Sequence, residues 1–100
     1  MAEPERGAAL VTGASRRIGR VLALTCADAG YDVAIHCRTI DDDAESAAAE
    51  IRARGRKAAL FTADLRKEAE TAPLVGSVEG ELGPVSLLVN SASVFEEDAF

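Results

Sequence analysis

The chain has 100 residues, of which 48% are hydrophobic, 28% charged and only 4% aromatic, and its formal net charge is −6. That length makes one small domain or part of a larger one, and the acidic balance argues against a general nucleic-acid or anionic-membrane binder. Cys26 and Cys37 make neither a disulfide framework nor a metal-ligand spacing, and no run approaches the ~18 apolar residues of a membrane span. The acidic start, Met1 to Arg6, lacks the apolar stretch of a secretory signal. The expectation is a cytoplasmic protein with reduced thiols, with no metal, nucleic-acid or membrane partner.

Ala8-Ala9-Leu10-Val11 is a short apolar run and predicts a first strand over residues 8–12. Thr12-Gly13-Ala14-Ser15-Arg16-Arg17-Ile18-Gly19 follows. The spacing of Ile18, Val21, Leu22, Thr25, Cys26 and Ala29 then predicts a helix over 17–29, stopped by Gly30. A glycine turn between a strand and a helix suits an anion such as a nucleotide pyrophosphate. The helix N-terminus offers unpaired N–H groups, and glycines let the anion approach the backbone.

Val33 to His36 predicts a second strand. Asp41 to Arg54 predicts a second helix, with Ile40, Ala44, Ala47, Ala48 and Ile51 in one apolar stripe and aspartates at the positive end. Lys57 to Thr62 predicts a third strand. Leu74, Val75, Val78 and Leu82 mark a third helix, with Thr71 as N-cap and Pro73 in the first turn, where its missing N–H costs little. Gly83-Pro84 stops it, and Val85 to Val89 predicts a fourth strand ending at Asn90. There is no linker, repeat or low-complexity tract. The order β-α-β-α-β-α-β implies an α/β fold, a Rossmann-type doubly wound parallel sheet in three αβα layers with right-handed crossovers. Residues 1–100 then make one half of a doubly wound dinucleotide-binding domain.

Gly13 and Gly19 serve the tight turn and the close helix–strand approach. Ser15 suits either a phosphate contact or a helix N-cap. Arg16, Arg17, Arg20 and Arg38 form a local basic set in an acidic chain. An NAD site places an acidic residue about 20 residues beyond the glycine turn, at the end of strand two. Here that strand ends His36-Cys37-Arg38-Thr39, and Asp32 lies at its other end. Arg38 offers a fixed-charge fork for a 2′-phosphate, Thr39 a hydroxyl, and Arg16 further charge, so the cofactor expected is NADP(H). The alternative for Arg38 is an ordinary surface arginine. His36 suits packing or a ribose contact, and the two cysteines suit buried small hydrophobes. The acidic runs suit solvated helix faces and helix starts.

Three patterns stand at strand ends: Thr12-Gly13 to Gly19, Thr62-Ala63-Asp64-Leu65, and Leu87-Leu88-Val89-Asn90-Ser91-Ala92-Ser93. In this order they resemble the N-terminal part of a short-chain dehydrogenase/reductase. The resemblance places the turn from Gly13 to Gly19, with Ile18, against the cofactor. It implies that Asp64 and the Leu65 N–H hold adenine; capping of a turn is the alternative for Asp64. It also implies that Asn90, Ala92 and Ser93 lie beside the nicotinamide ribose, with Asn90 steadying the sheet.

Arg17 replaces the family's usual middle glycine, and Ser91 replaces the more common second Asn. Arg-Arg-Ile-Gly and Ser93-Val94-Phe95 are similar to a pteridine-reductase-like branch. That likeness maps Arg17, Ser93 and Phe95 to a substrate edge, with ordinary core packing the alternative for Phe95. The implied reaction is hydride transfer from NADPH to the C=N bond of a small dihydropterin or dihydrofolate-type substrate. A ketone or 3-oxoacyl group is the alternative substrate, and a non-catalytic nucleotide-binding or sensor module the alternative class. The family's proton donor is a tyrosine with a lysine four residues later. The one tyrosine here, Tyr31, is followed at that distance by Ile35. No catalytic residue is therefore expected in this chain; the pair would lie beyond residue 100, in a longer enzyme that the family likeness makes a homotetramer.

Overall fold

A computed structural model describes residues 7–13, 17–64 and 66–90. Strands and helices alternate as β1 (Ala8–Thr12), α1 (Arg17–Asp28), β2 (Asp32–Cys37), α2 (Asp42–Ala53), β3 (Ala58–Thr62), α3 (Glu68–Leu82) and β4 (Val85–Asn90). The strands form one parallel sheet in the order β3-β2-β1-β4. All five residues of β1 and all six of β2 are buried, which is why these strands read as continuous apolar runs.

Alternation along the strands sends side chains to two cores. Ala9, Val11, Val33 and Ile35 pack with Ala23, Cys26 and Ala27 of α1 and Ala47, Ala48 and Ile51 of α2. Ala8, Leu10 and Ala34 pack on the other face with Leu74 and Val78 of α3. The result is the expected three-layer α/β sheet. A register shift between Ala8 and Ala9 opposite β4 lets Val85 join the α3 face while Leu87 and Val89 join the other.

Three expectations about the helices need correction. The buried face of α1 is Gly19, Ala23, Cys26 and Ala27, whereas Ile18 and Val21 are 56% and 61% exposed. Small residues let the helix lie close on the sheet; the expected stripe shares Cys26 with that face, and Leu22 packs beside it, but a reading weighted to bulk ran outward to Ile18 and Val21. On that outer face Thr25 Oγ1 donates to the Val21 carbonyl at 2.8 Å. Ile40 is exposed too, because the helix begins after Asp41, whose carboxylate accepts the Ala44 N–H at 2.9 Å. Third, α3 starts at Glu68 with Lys67 as N-cap, so Thr71 is inside the helix and Pro73 falls in the second turn. Glu70 explains the earlier start: it sits one turn past Lys67 and reaches back to the preceding loop, accepting the Asp64 N–H at 2.8 Å.

The N-terminal end of the sheet is closed. Asp32 is 5% exposed, meets Arg56 at 3.0 Å and accepts the Lys57 N–H at 3.1 Å. Gly7, at φ +88°, passes so near β4 that a Cβ there would stand 2.8 Å from Ser86 Oγ and 2.9 Å from the Pro84 carbonyl. Tyr31 lies at this end beside the α1 core, well away from the C-terminal ends of the strands.

Candidate nucleotide-binding site

The C-terminal ends of β1, β2 and β3 come together around His36. Its ring is 2% exposed. Nε2 lies 2.8 Å from the Ala63 carbonyl, which only accepts, so Nε2 carries the proton. Nδ1 is then an acceptor, 3.4 Å from the Gly13 nitrogen, whose N–H also bonds the His36 carbonyl at 3.0 Å. One side chain thus ties the glycine turn to the β3 exit. Both ring nitrogens are engaged by backbone, which supports the packing role for His36 over the ribose contact.

Gly13 takes φ +69°, where a Cβ would be strained, and turns the chain out of β1. Arg17 takes φ +25°, the one positive φ outside glycine among the described residues, at the place where the family pattern has glycine. Its side chain and that of Ile18 are exposed at the start of α1, and Gly19 is buried beneath them. Arg20 leaves the local basic set: it donates from Nη2 to Ser46 at 2.9 Å and from Nε to Glu50 at 3.1 Å, with an ion pair to Glu50, and so fastens α1 to α2. At the other side of the turn, Thr12 Oγ1 donates to Asn90 Oδ1 at 3.0 Å, a side-chain bond between β1 and β4.

Beyond β2 and β3 lies a cleft of about 450 Å³, lined by Arg38, Thr39, Thr62, Ala63, Asp64 and Glu70. Three of the residues singled out in the sequence, Arg38, Thr39 and Asp64, therefore meet at one place. Asp64 carries the turn-capping bond of the alternative reading, accepting the Arg66 N–H at 3.0 Å. Its carboxylate also receives the Arg66 guanidinium, Nε on Oδ1 at 3.0 Å and Nη2 on Oδ2 at 3.1 Å. These bonds from Arg66, with a smaller contribution from the charge of Arg38, hold the Asp64 carboxyl at about 2, below the usual carboxylate range. Arg66 and Glu70 were not picked out in the sequence; the Asp-x-Arg spacing of a side-chain-capped turn was the available signal. Burial pushes both thiols up, so Cys26 and Cys37 are packing groups, as expected. Ser15, Arg16, Leu65, Ala92, Ser93 and Phe95 lie outside the described residues.

A parallel sheet of order β3-β2-β1-β4, with a polar cleft outside the carboxyl ends of its strands, defines a Rossmann-type nucleotide-binding fold. Residues 7–100 match the short chain dehydrogenase family, and the chain belongs to it. It is 39% identical over 90 residues to a 3-oxoacyl-[acyl-carrier-protein] reductase, FabG, of Staphylococcus epidermidis, covering 90% of this chain and 37% of that protein. Among solved structures it is similar to a short-chain type dehydrogenase/reductase from Mycobacterium marinum, with TM-score 0.77 and 33% identity over 84% of this chain and 34% of that one. It is also similar to a metagenomic short-chain oxidoreductase in complex with NADP, with TM-score 0.76 and 28% identity over 84% of this chain and 38% of that one. The chain spans between 34% and 38% of the length of these relatives.

Proposed function

We propose that this chain is the NADP(H)-binding portion of a short-chain reductase acting on a small carbonyl compound. The observation that carries the cofactor is the cleft at the ends of β2 and β3. It pairs a fixed cation, Arg38, and a hydroxyl, Thr39, with the Asp64 carboxylate, and β2 ends without the acidic residue that binds both ribose hydroxyls in NAD sites. A 2′-phosphate would lie against Arg38 and Thr39, and adenine against Asp64 and Leu65. The turn from Gly13 to Gly19, with Ser15, Arg16, Arg17 and Ile18, would hold the pyrophosphate, and Asn90, Ala92 and Ser93 the nicotinamide ribose. His36 fixes the floor of this arrangement from within. When bound, the reduced nicotinamide supplies the hydride.

For the substrate, a ketone or 3-oxoacyl carbonyl is the first reading, favoured by the name of the 39% identical relative. The second is a dihydropterin or dihydrofolate-type C=N bond, with Arg17, Ser93 and Phe95 at its edge. Arg17 favours it: its exposed side chain stands where the family pattern has glycine, at a backbone position that costs an arginine about 1–2 kcal/mol.

The test is titration with NADPH and NADH. The reading expects NADPH to bind at least ~10-fold more tightly, a difference of about 1.4 kcal/mol; equal affinities would overturn it. These residues hold no Tyr-x-x-x-Lys pair, so turnover is assayed on protein that carries one. Activity on carbonyls and none on pterins removes the second substrate reading, and binding without any turnover points to a sensor module.

A further inference from the structure

We propose that Arg66 and Glu70 set which nucleotide base the cleft accepts, as positioning residues for Asp64. The proposal rests on the nucleotide-binding reading above. Asp64 and Glu70 line the cleft. Arg66 donates its backbone N–H and its Nε to Oδ1 of Asp64, both at 3.0 Å, and its Nη2 to Oδ2 at 3.1 Å. A carboxylate offers about four acceptor positions, two on each oxygen. Among the bonds to described residues, Oδ1 is therefore filled and Oδ2 keeps one position. An ionised carboxylate has no proton to give, so that last position takes an N–H and repels a carbonyl.

Glu70 fixes the backbone that carries this carboxylate. Its Oε1 accepts the Asp64 N–H at 2.8 Å, its own N–H bonds the Lys67 carbonyl at 3.0 Å, and the Lys67 N–H bonds the Asp64 carbonyl at 2.9 Å. The turn from Asp64 to Lys67 is thus pinned to the first turn of α3. Arg66 orients the carboxylate and Glu70 places its Cα. Together they aim the remaining acceptor position of Asp64 at the ligand, which selects a base with an exocyclic amine, such as adenine, over one with a carbonyl there, such as hypoxanthine. Sites built to bond one polar group reject its opposite strongly, because the mismatch leaves like poles facing each other.

The experiment compares the affinity of NADPH with that of its hypoxanthine analogue, deamino-NADPH, by titration of the wild-type protein and of Glu70→Ala, Glu70→Gln and Arg66→Ala. A glutamine carbonyl can still accept the Asp64 N–H. The wild type is expected to favour NADPH by ~10-fold or more, and the two alanine variants by ~3-fold or less. Glu70→Gln is expected to keep the wild-type ratio. The Arg66 side chain is 65% exposed, so Arg66→Ala keeps the test decisive if Glu70→Ala lowers the melting temperature. A ratio unchanged in both alanine variants, including an equal loss for both nucleotides, overturns the positioning roles and leaves the cofactor reading standing. A wild-type protein that binds neither nucleotide overturns both.

Discussion

Asp32 and Asp64 each meet an arginine, at opposite ends of one parallel sheet. Asp32 opens β2 with its side chain 7% exposed, against Arg56 at 27%. Asp64 follows β3 with its side chain 21% exposed, against Arg66 at 65%. The chemistry of the two pairs is the same; the solvent is not. At the closed end, removing the Asp32 carboxylate leaves the half-buried Arg56 guanidinium and the Lys57 N–H without this partner, so that pair is bound up with stability. At the open end water screens the pair, and its contribution to folding is small. The Asp64 carboxylate is then available to a ligand, in a cleft that it shares with Arg38 and Thr39. One end of the sheet holds the fold, and the other is free to serve a site.

The sharpest way to break this contrast is to remove each carboxylate in turn. Asp32→Ala should lower the unfolding free energy by about 3 kcal/mol in urea titrations, towards the low end for a broken buried pair because Arg56 is partly solvated. Asp64→Ala should leave the midpoint nearly unmoved and weaken NADPH binding instead. Equal destabilisation by both would erase the distinction.

His36 tests the boundary between the two roles. His36→Phe keeps the buried ring and removes its two polar contacts, leaving the Ala63 carbonyl without its donor. A loss of about 2 kcal/mol is expected, with nucleotide affinity falling only as far as the Gly13 turn loosens. A nucleotide loss far larger than the stability loss would mean that His36 touches the ligand directly.

Arg17→Gly should move stability the other way. Relief of the left-handed arginine is worth about 1 kcal/mol, after allowing for the extra freedom of glycine in the unfolded chain. The melting temperature should rise slightly while affinity for the nucleotide or the substrate falls; a gain in stability with no functional loss would remove Arg17 from the site.

The smallest effect is a titration. Asp64 is held at about 2 by Arg66. A carboxyl depressed in the folded state stabilises above its usual value near 3.8 and loses that contribution as pH falls through about 2. Carbon-detected NMR should find Asp64 ionised down to that range, and Arg66→Ala should return it towards the usual value.

Much of this was legible in the residues. Strands one and two stood out because a parallel sheet covered on both faces is written as near-continuous apolar runs, such as Ala8 to Val11 and Val33 to Ile35, whereas β4 alternates half-buried and exposed residues. Arg38 at the end of strand two and Asp64 after strand three stood out because both follow strand ends, and folding brings them to one cleft. The helix faces were less legible. In α1 the contact face is Gly19, Ala23, Cys26 and Ala27; Cys26 was read correctly, but the others are too small to stand out beside Ile18 and Val21. The start of α3 was hidden because its first turn is fixed by a side chain reaching backwards, Glu70 to the Asp64 N–H, rather than by a capping hydroxyl at Thr71. Both Asp–Arg pairs escaped notice as well. Asp32 and Arg56 are joined only by folding, while Asp64 and Arg66 are too near in sequence to look like more than a turn.

The account stands most directly on Arg38. NADPH and NADH affinities measured side by side in the wild type and in Arg38→Asp should show the wild-type preference for NADPH shrinking by ~10- to 100-fold, the worth of a charge-assisted bond to phosphate turned into repulsion. An unchanged preference would place the 2′-phosphate elsewhere and contradict the assignment of the open end of the sheet as the cofactor site.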